Sequence, residues 1–256
     1  MGNFLDRIWH AARMDERRCV FCHAPFSPEP GGSVTELAGG GRLGTSEALC
    51  PVCEAKFRRR NTGYCPGCGR LLDIPDIALC GECLLTPPPW SHFCFFGVYG
   101  GAMRDLMLRA KFFADFGALE LFGELLAAVC VNLFCPANQA SGIDAVVPVP
   151  LHESRLRERG LNQSLELARP VSVVLHAPLR PDGLTRRVAT PHQMGKNRKE
   201  RLAALVGAFE GTPAVAGKRI LLVDDIATTG TTLRRASLAL LEAGAESVAA
   251  AVVLRA

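Results

Sequence analysis

The sequence predicts an α/β protein, a mostly parallel sheet with helices on both faces, preceded by a small cysteine-rich region held together by metal. Three observations lead there. Eight of the eleven cysteines fall into four Cys-x-x-Cys pairs, all before Trp90. From Phe93 onward, short apolar runs alternate with helix-like segments. One of those runs ends in paired carboxylates and then a turn of threonines and glycine that opens a helix.

Composition sets the limits. A chain of 256 residues, 48% apolar and 21% charged, is neither disordered, collagen-like nor a coiled coil, and suits one large domain or two smaller ones. Its most apolar long stretch, Ala118 to Cys135, carries Glu120, Glu124 and Asn132, so it reads as a packed helix with no membrane insertion. Met1 to Arg18 is charged throughout and lacks the apolar run of a secretory signal, which predicts a cytoplasmic protein.

In that compartment the cysteines call for an explanation other than disulfides. The pairs are Cys19/Cys22, Cys50/Cys53, Cys65/Cys68 and Cys80/Cys83, separated by 27, 11 and 11 residues. Two thiolates two residues apart turn tightly around one tetrahedral Zn²⁺, and two such pairs close its shell. The expectation is two structural Cys₄ zinc sites. The first pair joins the second and the third the fourth, or the arrangement is crossed; spacing leaves both open. Eight thiolates and two zinc ions would bring the formal charge of +4 close to zero. Local charge is then a better guide to partners than the pI. The segment Pro28 to Gly44, with Gly39-Gly40-Gly41, reads as a flexible loop without assigned function.

Three regions follow: an N-terminal segment at 1–18, a double zinc ribbon at 19–89 and an α/β domain at 90–256, with Pro87-Pro88-Pro89 a stiff connector. Within the last, Phe93 to Val98 is a predicted strand, Ala102 to Phe113 a helix and Leu119 to Phe134 a longer helix. Asp144 to Val149 is a buried strand and Asn162 to Leu175 a helix. Ile220 to Val223 is a short strand, Thr232 to Ala243 a helix stopped by Gly244, and Val248 to Leu254 the final strand.

The strand at Ile220 delivers Asp224 and Asp225 to its carboxyl end, where open α/β sheets bind ligands. Amides of Thr228, Thr229, Gly230 and Thr231 can then converge on an anion at the helix N-terminus. The stretch lacks the Gly-Lys-Ser/Thr ending of a nucleoside-triphosphatase loop. Two acids beside a phosphate nest suit a sugar phosphate, the nest taking phosphate and the carboxylates taking hydroxyls. This pattern resembles the signature of type I phosphoribosyltransferases, whose ligand is 5-phosphoribosyl 1-pyrophosphate (PRPP).

Residues 151–201 hold eleven Arg or Lys against five acids. Arg155, Arg157 and Arg159 lie two apart, so an extended or looped backbone would present them on one side, whereas a helix would spread them. The later cluster, from Thr185 to Arg201, is polar and aperiodic, as a mobile loop is. With the cysteine pairs, Tyr99-Gly100, Lys111, Pro148-Val-Pro-Leu151, Arg159-Gly-Leu-Asn-Gln163, Thr190-Pro-His-Gln193 and Gly207-Ala-Phe209, residues 19–256 resemble the ComF family.

The resemblance implies a double zinc ribbon fused to a type I phosphoribosyltransferase fold. Asp224, Asp225, Arg155 and Lys111 would be catalytic, and Ala227, Thr228, Thr229, Gly230, Thr231 and Thr232 would bind the 5′-phosphate. Leu151, His152, Arg155, Arg157 and Arg159 would form the pyrophosphate loop. Arg187, Thr190, Gln193, Lys196, Arg198 and Arg201 would belong to a flexible loop closing over PRPP with Mg²⁺. It implies a role in natural competence, with incoming single-stranded DNA and a competence helicase or DNA-processing proteins as partners. The alternative is an active phosphoribosyltransferase on an unknown nucleobase or small acceptor with no DNA role. Gly2 occupies the place of a glutaminase nucleophile, so glutamine amidotransfer is not expected.

Overall fold

The computed structural model describes residues 16–28, 34–36, 42–44, 48–72, 78–136, 140–187 and 207–256. In chain order the strands are β1 (Arg17–Arg18), β2 (Pro25–Phe26), β3 (Val34–Glu36), β4 (Arg42–Gly44), β5 (Phe93–Val98), β6 (Ala145–Pro148), β7 (Leu184–Arg186), β8 (Phe209–Gly211), β9 (Arg219–Ala227) and β10 (Ser247–Arg255). The helices are α1 (Pro51–Glu54), α2 (Gly81–Leu85), α3 (Gly101–Phe112), α4 (Phe116–Phe134), α5 (Glu153–Arg159), α6 (Gln163–Val174) and α7 (Thr231–Glu242).

The centre is a four-stranded sheet in the order β5-β10-β9-β6, with every pairing parallel. Parallel strands covered on both faces need near-continuous apolar runs, which Ile220–Val223 and Val248–Leu254 supply. Register puts Phe93, Ala250, Leu222 and Val147 in one row, and Cys94, Ala251, Val223 and Pro148 in the next. The first row joins one core and Cys94, Ala251 and Val223 the other, as the alternation of side chains along a strand requires. At the start of β6, Asp144 accepts from the Arg219 backbone at 2.8 Å and from its guanidinium at 2.9 Å twice. That pairing holds the Asp144 carboxyl down at about 2 and fixes the first residue of β9 against β6.

On one face, α4 and α6 pack together over the sheet. They approach closely because Gly123 lacks a side chain: a Cβ there would lie 2.9 Å from Pro170 Cγ. Helix α4 is long and apolar enough to cross a membrane, but Leu119, Phe122, Leu126 and Cys130 are buried in the core, as the packed-helix reading requires. Asp115 caps it, accepting from Ala118 N at 3.0 Å. On the other face lie α7, through Leu233, Ala236 and Leu240, and the antiparallel ribbon β7–β8.

Four local expectations change. Residues 153–159 form a helix rather than a loop, because His152 accepts from Ser154 N at its start and Gly160 ends it at φ 74°. The segment Pro28 to Gly44 contains the β3–β4 ribbon, Val34 pairing with Gly44. Strand β9 runs four residues past Val223, through both aspartates, because β10 keeps pairing with it as far as Ala227. The β7–β8 ribbon adds to the sequence expectations; each strand is three residues long, too short for a periodic signal.

Candidate functional site

The cysteines gather in two clusters built alike. In the first, the turn between β1 and β2 presents Cys19 and Cys22, while Cys50 caps α1 and Cys53 lies within it. In the second, a turn closed by Gly69 N to Cys65 O at 2.7 Å presents Cys65 and Cys68, while Cys80 caps α2 and Cys83 lies within it. Within each cluster all four sulfurs lie within 4.8 Å of one another. Cys22 and Cys50 Sγ are 3.8 Å apart, and Cys68 and Cys80 Sγ are 3.7 Å apart. A tetrahedron with metal–sulfur bonds of about 2.3 Å has an edge of about 3.8 Å, so both clusters fit a dication. The pairing is consecutive, and the crossed alternative is excluded.

Electrostatics point the same way. Burial pushes Cys19 up, but backbone amides at Cys22, Cys50 and Phe21 outweigh it and bring the thiol down to about 7. Cys65 behaves alike, with the amides of Cys80, Cys68 and Gly67. Burial and the neighbouring thiols drive Cys53 and Cys83 well up. Four sulfurs packed together with no cation penalise their own ionisation, a penalty that a bound metal removes.

At the carboxyl edge of the sheet, β9 carries Asp224 and Asp225 beyond Pro148, where the paired part of β6 ends. Asp224 Oδ1 accepts from Ser164 Oγ, next to the N-terminus of α6, and from Asp225 N, both at 2.9 Å. Asp225 Oδ2 lies 2.8 Å from Lys111 Nζ of α3, both side chains being largely buried. Burial and the Asp225 charge push Asp224 up to about 7, against the Asp225 amide, Ser164 and Lys111.

The next turn, Thr228 to Gly230, leads into α7. Gly230 is its N-cap at φ 72°, a backbone conformation that favours glycine. Thr229 and Thr231 Oγ1 are 2.8 Å apart. Thr232 is the second residue of α7, and Ala227 ends β9.

The three arginines of α5 diverge, as a helix requires. Arg157 pairs with Glu153 at 3.0 Å and is exposed. Arg159 lies over the Phe112 ring at 5.9 Å and donates to Gln163 Oε1 at 3.3 Å. Arg155 instead lies close enough to Arg186 to depress that residue's pKa. Leu151 and His152 precede the helix, His152 being its N-cap. Of the flexible-loop residues, Thr190, Gln193, Lys196, Arg198 and Arg201 lie outside the described residues. Arg187 is exposed and pairs with Glu210.

The sequence does not single out Ser164, which bonds Asp224, and it places Arg186 in the later basic cluster without separating it from Arg187. Arg186, on β7, stacks over the Phe209 ring at 5.2 Å. Burial first, then Arg155, lowers its pKa, while Asp224 raises it, so its charge is felt at the acid pair. Alternation along an extended strand separates it from Arg187. Knowledge that this segment is a strand would have preferred Arg186.

Residues 142–256 match the phosphoribosyl transferase domain family. The DNA utilization protein YhgH of Escherichia coli K12 is 32% identical over 203 residues, covering 78% of this chain and 87% of the relative. Competence protein F of Haemophilus influenzae is 30% identical over the same shares. Competence protein ComFC of Bacillus subtilis is 27% identical over 248 residues, 93% of this chain and 94% of that one. Among solved structures, glutamine PRPP amidotransferase from B. subtilis aligns with a TM-score of 0.36 at 23% identity, covering 54% of this chain and 26% of that one.

Proposed function

The chain belongs to the ComF family, and from that premise we propose that it binds PRPP on a phosphoribosyltransferase-type site and acts in the handling of single-stranded DNA during natural competence, in the cytoplasm. The observation that carries the PRPP reading is the partly buried pair Asp224-Asp225 at the carboxyl edge, directly followed by a glycine-capped turn into α7. The matched domain spans that edge and both its acids. The relatives' names, DNA utilization and competence proteins, support the DNA role.

In this reading the amides and hydroxyls from Ala227 to Thr232 hold the 5′-phosphate at the N-terminus of α7. Asp224 and Asp225 accept from the ribose hydroxyls. Lys111, Arg155 and Arg186 face the pyrophosphate, with Leu151, His152, Arg157 and Arg159 around the entrance and residues 187–201 as the closing loop. Mg²⁺ would accompany PRPP, and the aspartate oxygens are hard donors suited to it. The residues at 19–89 form a double ribbon around two zinc ions, each contributing folding free energy on the order of 10 kcal/mol. Closed four-sulfur shells leave no position for a substrate, so they serve structure. Residues 1–18 precede the ribbons, and 90–256 form the PRPP-binding domain.

A second reading is supported by the Lys111–Asp225–Asp224 row beside Arg186. That charge arrangement suits developing positive charge at the sugar and negative charge on departing pyrophosphate. There the protein is an active phosphoribosyltransferase on an unknown nucleobase or small acceptor. Calorimetry with Mg·PRPP tests the common premise. Wild type is expected to bind in the micromolar class, about −8 kcal/mol, and Asp224→Asn/Asp225→Asn, with its zinc intact, to bind at least tenfold more weakly. Equal binding by both proteins overturns the site. Pyrophosphate release with candidate acceptors then separates binding from turnover.

A further inference from the structure

The second four-cysteine cluster and the turn at Thr228–Gly230 are joined by two side chains. Arg255, on β10 and 5% exposed, donates from Nε to Cys68 O at 3.0 Å and from Nη1 to Ala227 O at 2.9 Å, and also contacts Thr228 O. Trp90 Nε1 donates to Gly67 O at 2.7 Å, while its ring edge lies 3.8 Å from the position a Cβ on Gly230 would take. Gly67 and Cys68 form the metal-binding turn, and Thr228 and Gly230 flank the anion-facing amides. Cys68, Cys83, Trp90, Thr229, Gly230 and Arg255 line one small cleft between them.

No Asp or Glu side chain among the described residues pairs with Arg255, whose Nη1 also contacts Ala256 O. A buried guanidinium is costly unless negative groups face it, and the sulfurs of Cys68 and Cys80 are among those that do. Four thiolates around a dication carry a net charge of −2, so a metal-filled cluster both shapes the Cys68 carbonyl and balances Arg255. An unfilled cluster does neither in a fixed way.

We propose that Arg255 is a positioning residue that couples the second cluster to the phosphate turn, so that metal at Cys65, Cys68, Cys80 and Cys83 and a phosphate ester at Thr228–Thr231 bind cooperatively. The proposal rests on the PRPP reading for the identity of the anion. Among the described residues no side chain joins the first cluster directly to that turn: Arg109 of α3 donates to the Val20 and Phe21 carbonyls, on the opposite side of the sheet. The two metal sites therefore differ in role despite their common design.

Linkage makes the test reciprocal, since an anion that binds more tightly to the metal-filled protein must tighten the metal by the same factor. Zinc-loaded protein is exposed to a chelator and a thiol-alkylating reagent, with and without saturating PRPP or ribose 5-phosphate. Alkylation is then followed peptide by peptide by mass spectrometry. The expected result is roughly tenfold slower labelling of Cys65, Cys68, Cys80 and Cys83 with ligand, and unchanged labelling of Cys19, Cys22, Cys50 and Cys53. Arg255→Met should retain two zinc ions and its circular dichroism, lose that protection and bind PRPP roughly tenfold more weakly. Arg255→Lys should recover part of both, because lysine supplies charge and donors without the guanidinium fork. Ligand that binds wild type without protecting the second cluster overturns the coupling and leaves the PRPP site standing. Unchanged PRPP binding and protection in Arg255→Met also overturns it. Wild type that binds neither phosphate ester removes the PRPP reading and this inference together. If Arg255→Met fails to fold, the wild-type labelling decides alone.

Discussion

Lys111 Nζ and Asp225 Oδ2 meet 2.8 Å apart at the carboxyl edge of the sheet, joining the last turn of α3 to β9. Asp225 is thereby neutralised in place, while its neighbour Asp224 is left with a hydroxyl and an amide. Two adjacent carboxylates cannot both ionise cheaply without a cation. The lysine holds Asp225 in place and is one of the groups that draw Asp224 down against its burial.

Removing that cation should therefore damage the acid pair as a unit. Lys111→Met is expected to weaken Mg·PRPP binding at least tenfold by calorimetry. It should also raise the pH at which Asp224 ionises, since Lys111 is one of the groups holding it down. Wild-type affinity in Lys111→Met would place PRPP elsewhere.

Asp224 gives a pH signature of definite sign. Its carboxyl is raised from 3.8 to about 7 in the folded protein, with burial the largest cause. Relative to an ordinary carboxyl it contributes stability below pH ~4 that is lost as pH rises through ~7. Asp224→Asn should thus be more stable than wild type at pH 8, by roughly 1–3 kcal/mol, with the difference shrinking towards pH 5. Denaturant titrations at the two pH values read this directly. PRPP affinity should move oppositely, rising from pH 6 to 8 in wild type but not in the variant.

The ribbon strand β7 and its continuation separate two neighbouring arginines. Arg186→Ala should weaken PRPP binding by roughly tenfold, or about 1.4 kcal/mol. Arg187→Ala, which loses only an exposed pair with Glu210, should change it by less than about twofold. The reverse ranking would show that the strand presents its other face to the ligand.

Metal content is a count. Elemental analysis should find two zinc ions per chain, and Cys22→Ser or Cys68→Ser should lower this to one. Stripping both with a chelator should abolish the cooperative melt of the N-terminal region. Iron in place of zinc would overturn the metal assignment while keeping the clusters.

Binding to single-stranded DNA, if it runs through the basic middle, must depend on salt. Affinity should fall with rising salt. The combined Arg155→Ala/Arg157→Ala/Arg159→Ala variant should reduce the log–log slope by about 0.7 for each phosphate that an arginine no longer neutralises. A slope that does not change would move the DNA-binding surface away from α5.

Much of this was legible in the sequence because its signals are local. The cysteine pairs carry their ligand spacing, and Ile220–Asp225 carries both the burial of a central strand and the acids at its end. Cluster pairing was not legible, because spacing alone fits either arrangement. The helix α5 is obscured although its capping residues, His152 and Gly160, are present, because alternate arginines dominate the pattern. Ser164, Trp90 and Arg255 were missed for a different reason. Each meets a partner 60, 23 or 187 positions away, and no periodicity encodes such a meeting.

Strand β10 lies between β5 and β9 yet follows every other described element in the chain. During synthesis, β5 therefore emerges with no lateral partner and keeps an open apolar edge until the last strand appears. The two cysteine clusters need only local segments and can close around metal long before that. The cysteine-rich end can thus be ordered while the central sheet still awaits its middle strand. That interval is when an unpaired β5 is most open to wrong pairing, and a chain cut short before Ser247 would never leave it.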